Sequence, residues 1–307
     1  MKSSLSLISL VFLVSVISFP QKAQAELRPL DLSTISTNPI YLAEVDTDIE
    51  DHLIQAVKHY QEENFDLAIE VVNKIIETNP NYGEIYYLRG SIYKDQGKID
   101  LAEANYNQAI KLNPTFAPTY SNRGLIYLDQ GKLDLAEADF NQTIKLDPNF
   151  VTAHSNRGFL YYNQGKLDLA EADYNQAIKL DPNFVTAHND RGLLYFDQGK
   201  LDLAEADYNQ AIKLNSQYIQ TYNNRGLLYF NQGELDLAKA DYNQAIRLNP
   251  NFADAYFNRF ALYLNQGKID LAMQDLKQAY DLYKIQGNTA QIQKIVEFVE
   301  SVQQQQK

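Results

Sequence analysis

The hydrophobic and polar residues of this chain follow a pattern that repeats every 34 residues. "SNRGLIYLDQGKLDLAEADFNQTIKLDPNF" at residues 121–150 is followed by "SNRGFLYYNQGKLDLAEADYNQAIKLDPNF" at 155–184. Seven copies begin at 49, 83, 117, 151, 185, 219 and 253, and the last ends at 286. Counted within a copy, small and aromatic or apolar residues recur at positions 4, 8 and 11, and again at 17, 20, 24, 27 and 28. This is helical spacing, so each copy is predicted to form two amphipathic helices.

Turn residues separate these predicted helices. Gly at position 15 is expected to end the first helix in the left-handed region, and Pro, present at position 32 in most copies, to end the second. Asp at position 18 is followed three residues later by Glu in four copies, as in Asp134 and Glu137, which predicts a capping box at the start of the second helix. The first and last copies depart from the pattern, as terminal units of a solenoid do.

The period and these small and aromatic positions resemble the tetratricopeptide repeat (TPR) family over about three quarters of the chain. The resemblance implies an all-α fold: a right-handed α-solenoid of seven TPR helix-turn-helix units at 49–286, with a C-terminal closing helix. Residues 287–307 are predicted to be that closing helix and a frayed tail, "QQQQK". An apolar stripe in this segment supports the prediction of a closing helix; alternatively, the helix could bind another protein through this stripe. Its residues are Ile292, Ile295, Val296, Val299 and Val302.

The amino-terminal segment predicts export. Lys2, an apolar run from Leu5 to Phe19 and the triplet ending at Ala25 have the three parts of a secretory signal peptide, 1–25. The run has about 15 residues, fewer than the roughly 20 of a membrane-spanning helix. Residues 26–48 show no periodicity and are predicted to be a mobile linker. Since the chain has no Cys, it can carry neither disulfides nor a lipid-modified Cys. We expect a protein that is soluble after cleavage, in the periplasm, a lumen or the medium.

Charge and composition argue against several functions. Loss of Lys2 and Lys22 with the signal peptide leaves 25 basic and 39 acidic residues, a net charge of −14. Such a surface repels nucleic acid and anionic membrane lipid, so neither is expected as a partner. The chain has no Gly-rich phosphate loop, nucleophile elbow or Cys, and its four histidines fall at positions 4 and 11, where other copies have Tyr. We predict no catalysis, cofactor, metal or small-molecule substrate, and assign the histidines to packing.

An arginine at position 7 departs from the family pattern, which usually has an apolar residue there. Copies three to seven combine this Arg with Asp at position 23, the second copy combines Arg89 with Asn105, and the first has Gln55 and Val71. Because the two positions change together, they are predicted to link the two helices of each unit by a charge-assisted hydrogen bond. The alternative is that these arginines hold an acidic ligand.

The resemblance also implies a binding surface, because it places positions 2, 5, 6, 9, 12 and 13 on the concave side of the superhelix. Position 6 carries a ladder of polar residues similar to the asparagine ladder in the TPR arm of O-linked N-acetylglucosamine transferases, where amides hold a peptide backbone. Position 12 forms an apolar strip. The predicted peptide-binding residues are therefore Asn122, Asn156, Asp190, Asn224 and Asn258 in the ladder, and Leu128, Tyr162, Phe196, Phe230 and Leu264 in the strip.

From these patterns we predict a secreted, non-catalytic protein–protein interaction scaffold that binds extended polypeptide segments. The TPR clamp for terminal carboxylates is excluded, because no copy has Lys or Arg at positions 2, 5 or 6. Three alternatives remain. The asparagines could be soluble filler copied with the unit. The chain could be a structural spacer or assembly subunit of an extracytoplasmic complex that uses its ends or convex face. It could also be the regulatory arm of an enzyme complex on a separate chain.

Overall fold

The computed structural model describes residues 47–305, so the predicted signal peptide and residues 26–46 of the predicted linker lie outside the described residues. This described range holds fifteen helices and no strand. The first helix begins at Thr47, two residues inside the predicted linker. The helices are α1 Thr47–Gln61, α2 Phe65–Thr78, α3 Gly83–Asp95, α4 Ile99–Leu112, α5 Ala117–Asp129, α6 Leu133–Leu146, α7 Val151–Asn163, α8 Leu167–Leu180, α9 Val185–Asp197, α10 Leu201–Leu214, α11 Ile219–Gln232, α12 Leu235–Leu248, α13 Ala253–Asn265, α14 Ile269–Ile285 and α15 Thr289–Gln305.

Consecutive helices pack in pairs, α1 with α2 through α13 with α14, so each predicted copy is one helix pair. The chain divides into two compact units between Pro182 and Asn183. In each unit the second helix of one pair packs against the first helix of the next pair. The fold class is therefore the predicted all-α solenoid of repeated helix pairs. No helix within residues 47–305 has both the length and the apolar character needed to cross a bilayer.

The turn inside six of the seven pairs depends on a glycine at position 15, and in the first pair Glu63 takes its place with a φ of 58°. Gly131 has a φ of 72°, in the left-handed region where a side chain would be strained. The Lys132 N–H donates to the Tyr127 carbonyl at 2.8 Å and the Gly131 N–H to the Leu128 carbonyl at 3.0 Å. These bonds satisfy carbonyls at the end of α5, as in a Schellman motif. The predicted role of this glycine is confirmed.

The predicted capping box is wrong. Helix α6 begins at Leu133 and its N-cap residue is Lys132, which makes no side-chain cap hydrogen bond. Because the helix starts before Asp134, this carboxylate lies inside the first turn, where it complements the helix dipole without capping. Glu137 instead accepts a hydrogen bond from the Tyr161 hydroxyl of the next pair at 3.1 Å. A spacing that suggests a local cap thus provides a contact between repeats.

A glycine at position 8 allows the two helices of a pair to approach closely. A Cβ at Gly124 would lie 2.8 Å from the ring of Phe140, the aromatic residue at position 24, which is fully buried. The last pair reverses this arrangement, because Phe260 replaces the glycine and the smaller Leu276 replaces the aromatic residue. The predicted close approach is confirmed for the pairs with Gly, and the last pair fills the same space from the opposite helix.

The last helix, α15, packs against α14. Its Phe298 ring meets the Phe260 ring edge-on, with centroids 5.3 Å apart. Ile295 and Phe298 are buried, whereas the other residues of the predicted stripe up to Val299 are half-buried. The side chain of Val302 lies outside the described residues. The sequence pattern therefore found the helix and Ile295 but missed Phe298, which contacts the residue peculiar to the last repeat.

Candidate peptide-binding surface

Six positions of each first helix lie together on one face. At 100° per residue, positions 2, 5, 6, 9, 12 and 13 fall within an arc of about 120°. Positions 4, 8 and 11 fall outside this arc, on the side that packs against the second helix. We call the six-position arc the ladder face and describe it separately in residues 47–182 and 183–305, the two compact units.

In residues 47–182, one ladder amide is tied to the preceding repeat and the other is not. The Asn122 Nδ2 donates to the Tyr87 hydroxyl at 3.3 Å and to Ser91 Oγ at 3.4 Å. Asn156 is half-buried, and its side chain has no hydrogen-bond partner among the described residues. The strip residues Leu128 and Tyr162 are half-buried. The ladder face of this unit therefore offers amide groups beside accessible apolar surface.

In residues 183–305, the ladder amides form a chain of contacts between first helices. The Asn224 Nδ2 donates to Asn189 Oδ1 at 3.2 Å, and the Asn258 Nδ2 donates to Asn223 Oδ1 at 2.8 Å. Asn189 in turn donates to the Asp190 carboxylate at 3.0 Å. Position 6 of one repeat thus contacts position 5 of the preceding repeat, which the sequence analysis did not predict. These bonds give the asparagines a structural role of their own.

The ladder residues of this unit differ in how far they reach the surface. Asn258 is half-buried, whereas Asp190 and Asn224 are only 4% and 7% exposed. Of the strip residues, Phe196 and Phe230 are half-buried and Leu264 is buried. The exposed fractions therefore identify Asn258 and the two phenylalanines as the accessible members of this part of the predicted surface.

The arginines at position 7 make the predicted link. Arg157 Nε donates to Asp173 Oδ2 and Arg157 Nη2 to Asp173 Oδ1, both at 2.7 Å. The third group, Nη1, donates to Asn141 Oδ1 in the preceding repeat at 2.6 Å. The guanidinium also lies 5.8 Å from the Tyr161 ring centroid, a cation–π contact. We call this arrangement the arginine bridge.

The arginine bridge recurs, and its asparagine was missed by the sequence analysis. Position 25 is Asn in copies one to six and Lys277 in the last copy, which no further copy follows. The loss of this asparagine in the copy that has no following copy was the sequence signal for a contact between repeats. The contacts between repeats are Arg89–Asn73, Arg123–Asn107, Arg225–Asn209 and Arg259–Asn243, at 2.5–2.7 Å. Because donors on each guanidinium already pair inside the protein, the position-7 arginines are poor candidates for holding an acidic ligand.

Two of the four histidines join the arginine bridges. His154 and His188 are each 7% exposed, which confirms their predicted packing position. Their Nδ1 atoms lie 3.4 Å from Asp173 Oδ1 and 3.2 Å from Asp207 Oδ1. Burial pushes the pKa of Asp173 upward, but hydrogen bonds from Arg157 and His154 outweigh it, so the pKa is lower than usual.

The corresponding aspartate of the third copy behaves differently. Asp139 has Tyr120 at position 4 of its repeat where the fourth copy has His154. Burial raises the pKa of Asp139 above its ordinary value despite hydrogen bonds from Arg123. The histidine is thus the difference between an aspartate whose pKa is raised and one whose pKa is lowered.

Family models confirm what the repeats indicate. A model described as TPR repeat matches residues 90–131, 124–165, 160–199 and 192–233. Two models described as Tetratricopeptide repeat match residues 219–252 and 241–274. These matches together span more than half of the chain, which belongs to the tetratricopeptide repeat family.

Solved structures share the fold at low sequence identity. A chain of the APC/C hetero-tetramer Cut9-Hcn1 aligns with a TM-score of 0.70 and 18% identity over 90% of this chain and 52% of that chain, so this protein spans about half its length. A TPR protein from Parabacteroides merdae gives 0.66 and 22% over 82% and 100% of the two chains. PilW, a type IV pilus biogenesis factor, gives 0.61 and 17% over 69% and 97%. No curated protein sequence is significantly similar.

TPR proteins bind protein or peptide partners and are generally non-catalytic, so family and fold support a protein–protein interaction scaffold. Within residues 47–305, no three His, Asp or Glu side chains come together in a way that could hold a metal ion. The ladder face combines amide and apolar side chains, which makes it the candidate surface for such a partner.

Proposed function

We propose that this scaffold is exported and binds extended polypeptide segments on its ladder face. The observation that carries the proposal is that the ladder asparagines keep hydrogen-bonding groups that the described part of the chain does not use. The Oδ1 atoms of Asn122, Asn224 and Asn258 accept no hydrogen bond from the described part of the chain, and neither side-chain group of Asn156 is used. The oxygens of the half-buried amides, those of Asn122, Asn156 and Asn258, can accept the N–H of a bound peptide, whereas Asn224 is only 7% exposed.

Backbone recognition of this kind tolerates many peptide sequences. An Asn side chain offers both an acceptor and a donor, as a peptide unit does, so the two can pair whatever side chains the peptide carries. Phe196 and Phe230 add apolar surface at the edge of the same face. They would contribute affinity by burial and a preference for apolar side chains.

The pairing of charges elsewhere favours the ladder face over the other side of the first helices. The position-7 arginines lie outside the arc and are occupied by Asp and Asn, as in Arg157 with Asp173 and Asn141. A ligand that bound there would have to break hydrogen bonds that connect successive repeats. The ladder face can accept a peptide without breaking such bonds.

The test of the peptide site uses Asn156, because its substitution removes no hydrogen bond within the described residues. Asn156→Ala should weaken binding to a captured peptide by roughly 1 kcal/mol, about fivefold in Kd, with little change in stability or salt dependence. Phe230→Ala should weaken apolar peptides more than polar ones, because it removes buried area. Binding would be measured by fluorescence anisotropy with peptides selected from an array of extracytoplasmic sequences.

Two control variants make the same kinds of substitution, Asn to Ala and a large apolar residue to Ala, at positions outside the ladder face. Asn149→Ala changes an exposed asparagine in a turn, and Leu203→Ala an apolar side chain that is 49% exposed on a second helix. Neither should alter affinity. If the ladder-face variants bind as well as these controls do, the ladder face is not the site, and a spacer or assembly subunit that uses other surfaces becomes the better description.

The exported state has its own measurement. The intact mass of the protein recovered outside the cytoplasmic membrane should correspond to a chain that begins at Glu26. A chain that keeps Met1 and sediments with membranes would refute export by a cleaved signal peptide. Such a result would refute export but would not bear on peptide binding, which the affinity measurements test separately.

A further inference from the structure

Ion pairs connect the second helix of one repeat to the turn of the next. Lys132 Nζ, at position 16 of its repeat, lies 3.9 Å from Glu103 Oε2, at position 21 of the preceding repeat. Lys166 Nζ lies 3.6 Å from Glu137 Oε2 in the same arrangement one repeat later. Position 11 takes part as well, since the Tyr127 hydroxyl donates to Glu103 at 3.2 Å. Each of these junctions therefore brings together one base and one acid.

The sixth copy reverses both charges. It has Glu234 at position 16 and Lys239 at position 21, whereas copies two to five have Lys and Glu there. Because the pairs form between repeats and not within one, this reversal removes two of them. The paired positions hold Glu205 and Glu234 between copies five and six, and Lys239 and Lys268 between copies six and seven. We call these places the acidic junction and the basic junction.

The acidic junction is not neutralised within the described residues. Glu205 is half-buried and accepts a hydrogen bond from the Tyr229 hydroxyl at 2.9 Å, which leaves its charge in place. Glu234 is exposed. Neither carboxylate forms an ion pair with the part of the chain from 47 to 305. Two like charges thus lie together beside solvent.

The basic junction has the same property with the opposite sign. The Nζ of Lys239 lies 5.9 Å from the Tyr263 ring centroid, where other repeats have the glutamate that accepts the tyrosine hydroxyl. Lys268 is exposed, and its Nζ donates to the neutral Gln266 side chain at 2.8 Å. Neither ammonium group forms an ion pair with the described chain.

Exposed apolar side chains accompany both junctions. Leu237 follows Glu234 by three residues and Leu271 follows Lys268 by three, so each leucine lies about one helical turn from the charge. The second helices α10, α12 and α14 have five large apolar side chains that are 44–50% exposed: Leu203, Leu237, Ile269, Leu271 and Met273. This outer surface thus combines uncompensated charge with apolar area open to water.

The two junctions are complementary to each other under a two-fold rotation. They lie one repeat apart on the two sides of α12, because Glu234 directly precedes α12 and Lys268 directly precedes α14. A two-fold axis that runs along α12 would place the acidic junction of one copy opposite the basic junction of the other, twice over. The same rotation brings Leu237 of one copy opposite Leu271 of the other. Such a surface is self-complementary, as a symmetric dimer requires.

We propose that the outer surface of α10, α12 and α14 binds a second copy of this chain in a two-fold dimer. The glutamates of one copy would form with the lysines of the other the ion pairs that the reversal in the sixth copy removes within the chain. Charge complementarity of this kind fixes the register and orientation of the two copies. The dimer goes beyond the proposed peptide site, because the second helices contribute no residue to the ladder face.

Sedimentation velocity of the purified protein at about 0.15 M salt tests the dimer. The Debye length is then about 8 Å, so repulsion between two acidic molecules is screened while charges in contact still attract. We expect the mass to approach twice that of the monomer as the concentration rises through the micromolar range, and to fall back as more salt is added. A protein that stays monomeric throughout this range would overturn the proposal.

A charge exchange in the sixth copy locates the interface. Glu234→Lys with Lys239→Glu gives this copy the pattern of copies two to five, so composition, net charge and fold should be retained. Both junctions would then pair inside the chain, and self-association should weaken by at least about tenfold, because a symmetric dimer loses both contacts at once. As a control, Glu70→Lys with Lys74→Glu exchanges an exposed pair on α2 that lies 2.8 Å apart, and should leave the dimer unchanged. Equal effects of the two exchanges would refute the interface.

Two further variants test which charges face each other. Glu205→Lys with Glu234→Lys makes both junctions basic, and Lys239→Glu with Lys268→Glu makes both acidic. Each variant alone should be monomeric, because like charges would meet across the two-fold axis. An equimolar mixture of the two should form a heterodimer, since every basic junction then faces an acidic one. Dimers of either variant alone as tight as those of the wild type, or a mixture that stays monomeric, would contradict the proposed pairing.

Discussion

The arginine bridge of the fourth repeat allows the sharpest prediction. Arg157→Leu would leave Asp173, which is 5% exposed, without the two hydrogen bonds that its carboxylate receives from the guanidinium. Breaking a buried ion pair from one side typically costs about 3–5 kcal/mol. Because His154 still faces the carboxylate and the arginine side chain is 20% exposed, we expect the low end, about 3 kcal/mol.

The double-mutant cycle measures the link itself. Asp173→Leu leaves a guanidinium that can still reach Asn141 and water, so about 2 kcal/mol is expected. The double variant should lose about 3 kcal/mol in total, which corresponds to a coupling of about 2 kcal/mol between the two side chains. Asn141→Ala removes only the bond between repeats and should cost about 1 kcal/mol.

Stability would be measured by urea unfolding followed by far-UV circular dichroism at pH 7. Hydrogen exchange in α7 and α8 would accompany it, because a repeat array need not unfold in one step. Arg157→Lys keeps the charge but loses the two-pronged geometry, and should lie between the wild type and Arg157→Leu. Strictly additive single losses, or unchanged stability with lost peptide binding, would refute the bridge and favour a ligand-holding arginine.

Three other predictions concern packing and charge. Gly226→Ala should cost about 1–3 kcal/mol in thermal unfolding, because its Cβ would lie 2.6 Å from the Tyr242 ring, and Tyr242→Leu should recover part of that loss. Tyr242→Phe should be neutral or stabilising, since its buried hydroxyl has no partner within residues 47–305, whereas Tyr106→Phe should cost about 1 kcal/mol. His154→Tyr should raise the pKa of Asp173, which would be measured by NMR titration of the carboxyl carbon. The lowered pKa of Asp173 contributes stability that is fully present above the ordinary value of 3.8 and is lost as the pH falls through the lowered pKa of the folded state. The wild type and His154→Tyr should therefore differ most in stability at neutral pH and converge in acid.

The sequence predicted those features that depend on spacing within one copy. Periodicity alone identified both helices, because burial of one helix face recurs every three to four residues. Gly131 could be assigned because only a residue without a Cβ adopts a positive φ without strain. Arg157 and Asp173 were found because their positions change together along the chain.

Contacts between copies were harder to predict. The asparagine at position 25 recurs in copies one to six and, from the sequence, has the character of an ordinary surface residue. In the structure, Asn141 at this position accepts a hydrogen bond from Arg157 of the next repeat. The capping box failed because the spacing of Asp134 and Glu137 does not fix the residue at which a helix begins. Likewise, the sequence places Asn224 on the ladder face but gives no means of knowing that Asn189 occupies one of its N–H groups.

The arginine bridge explains how an array of this kind can change its length. Within residues 47–182 an internal copy carries an arginine for the preceding copy and an asparagine for the following one, as Arg123 and Asn141 do in the third. A duplicated segment of 34 residues would bring both halves of the contact and satisfy its neighbours at once, whereas an insertion of another length would break the register. Lys277 takes the place of the asparagine in the last copy and Gln55 that of the arginine in the first, so the exchange ends with the array. Duplication within the gene can therefore lengthen the array while each added copy keeps its contacts with both neighbours.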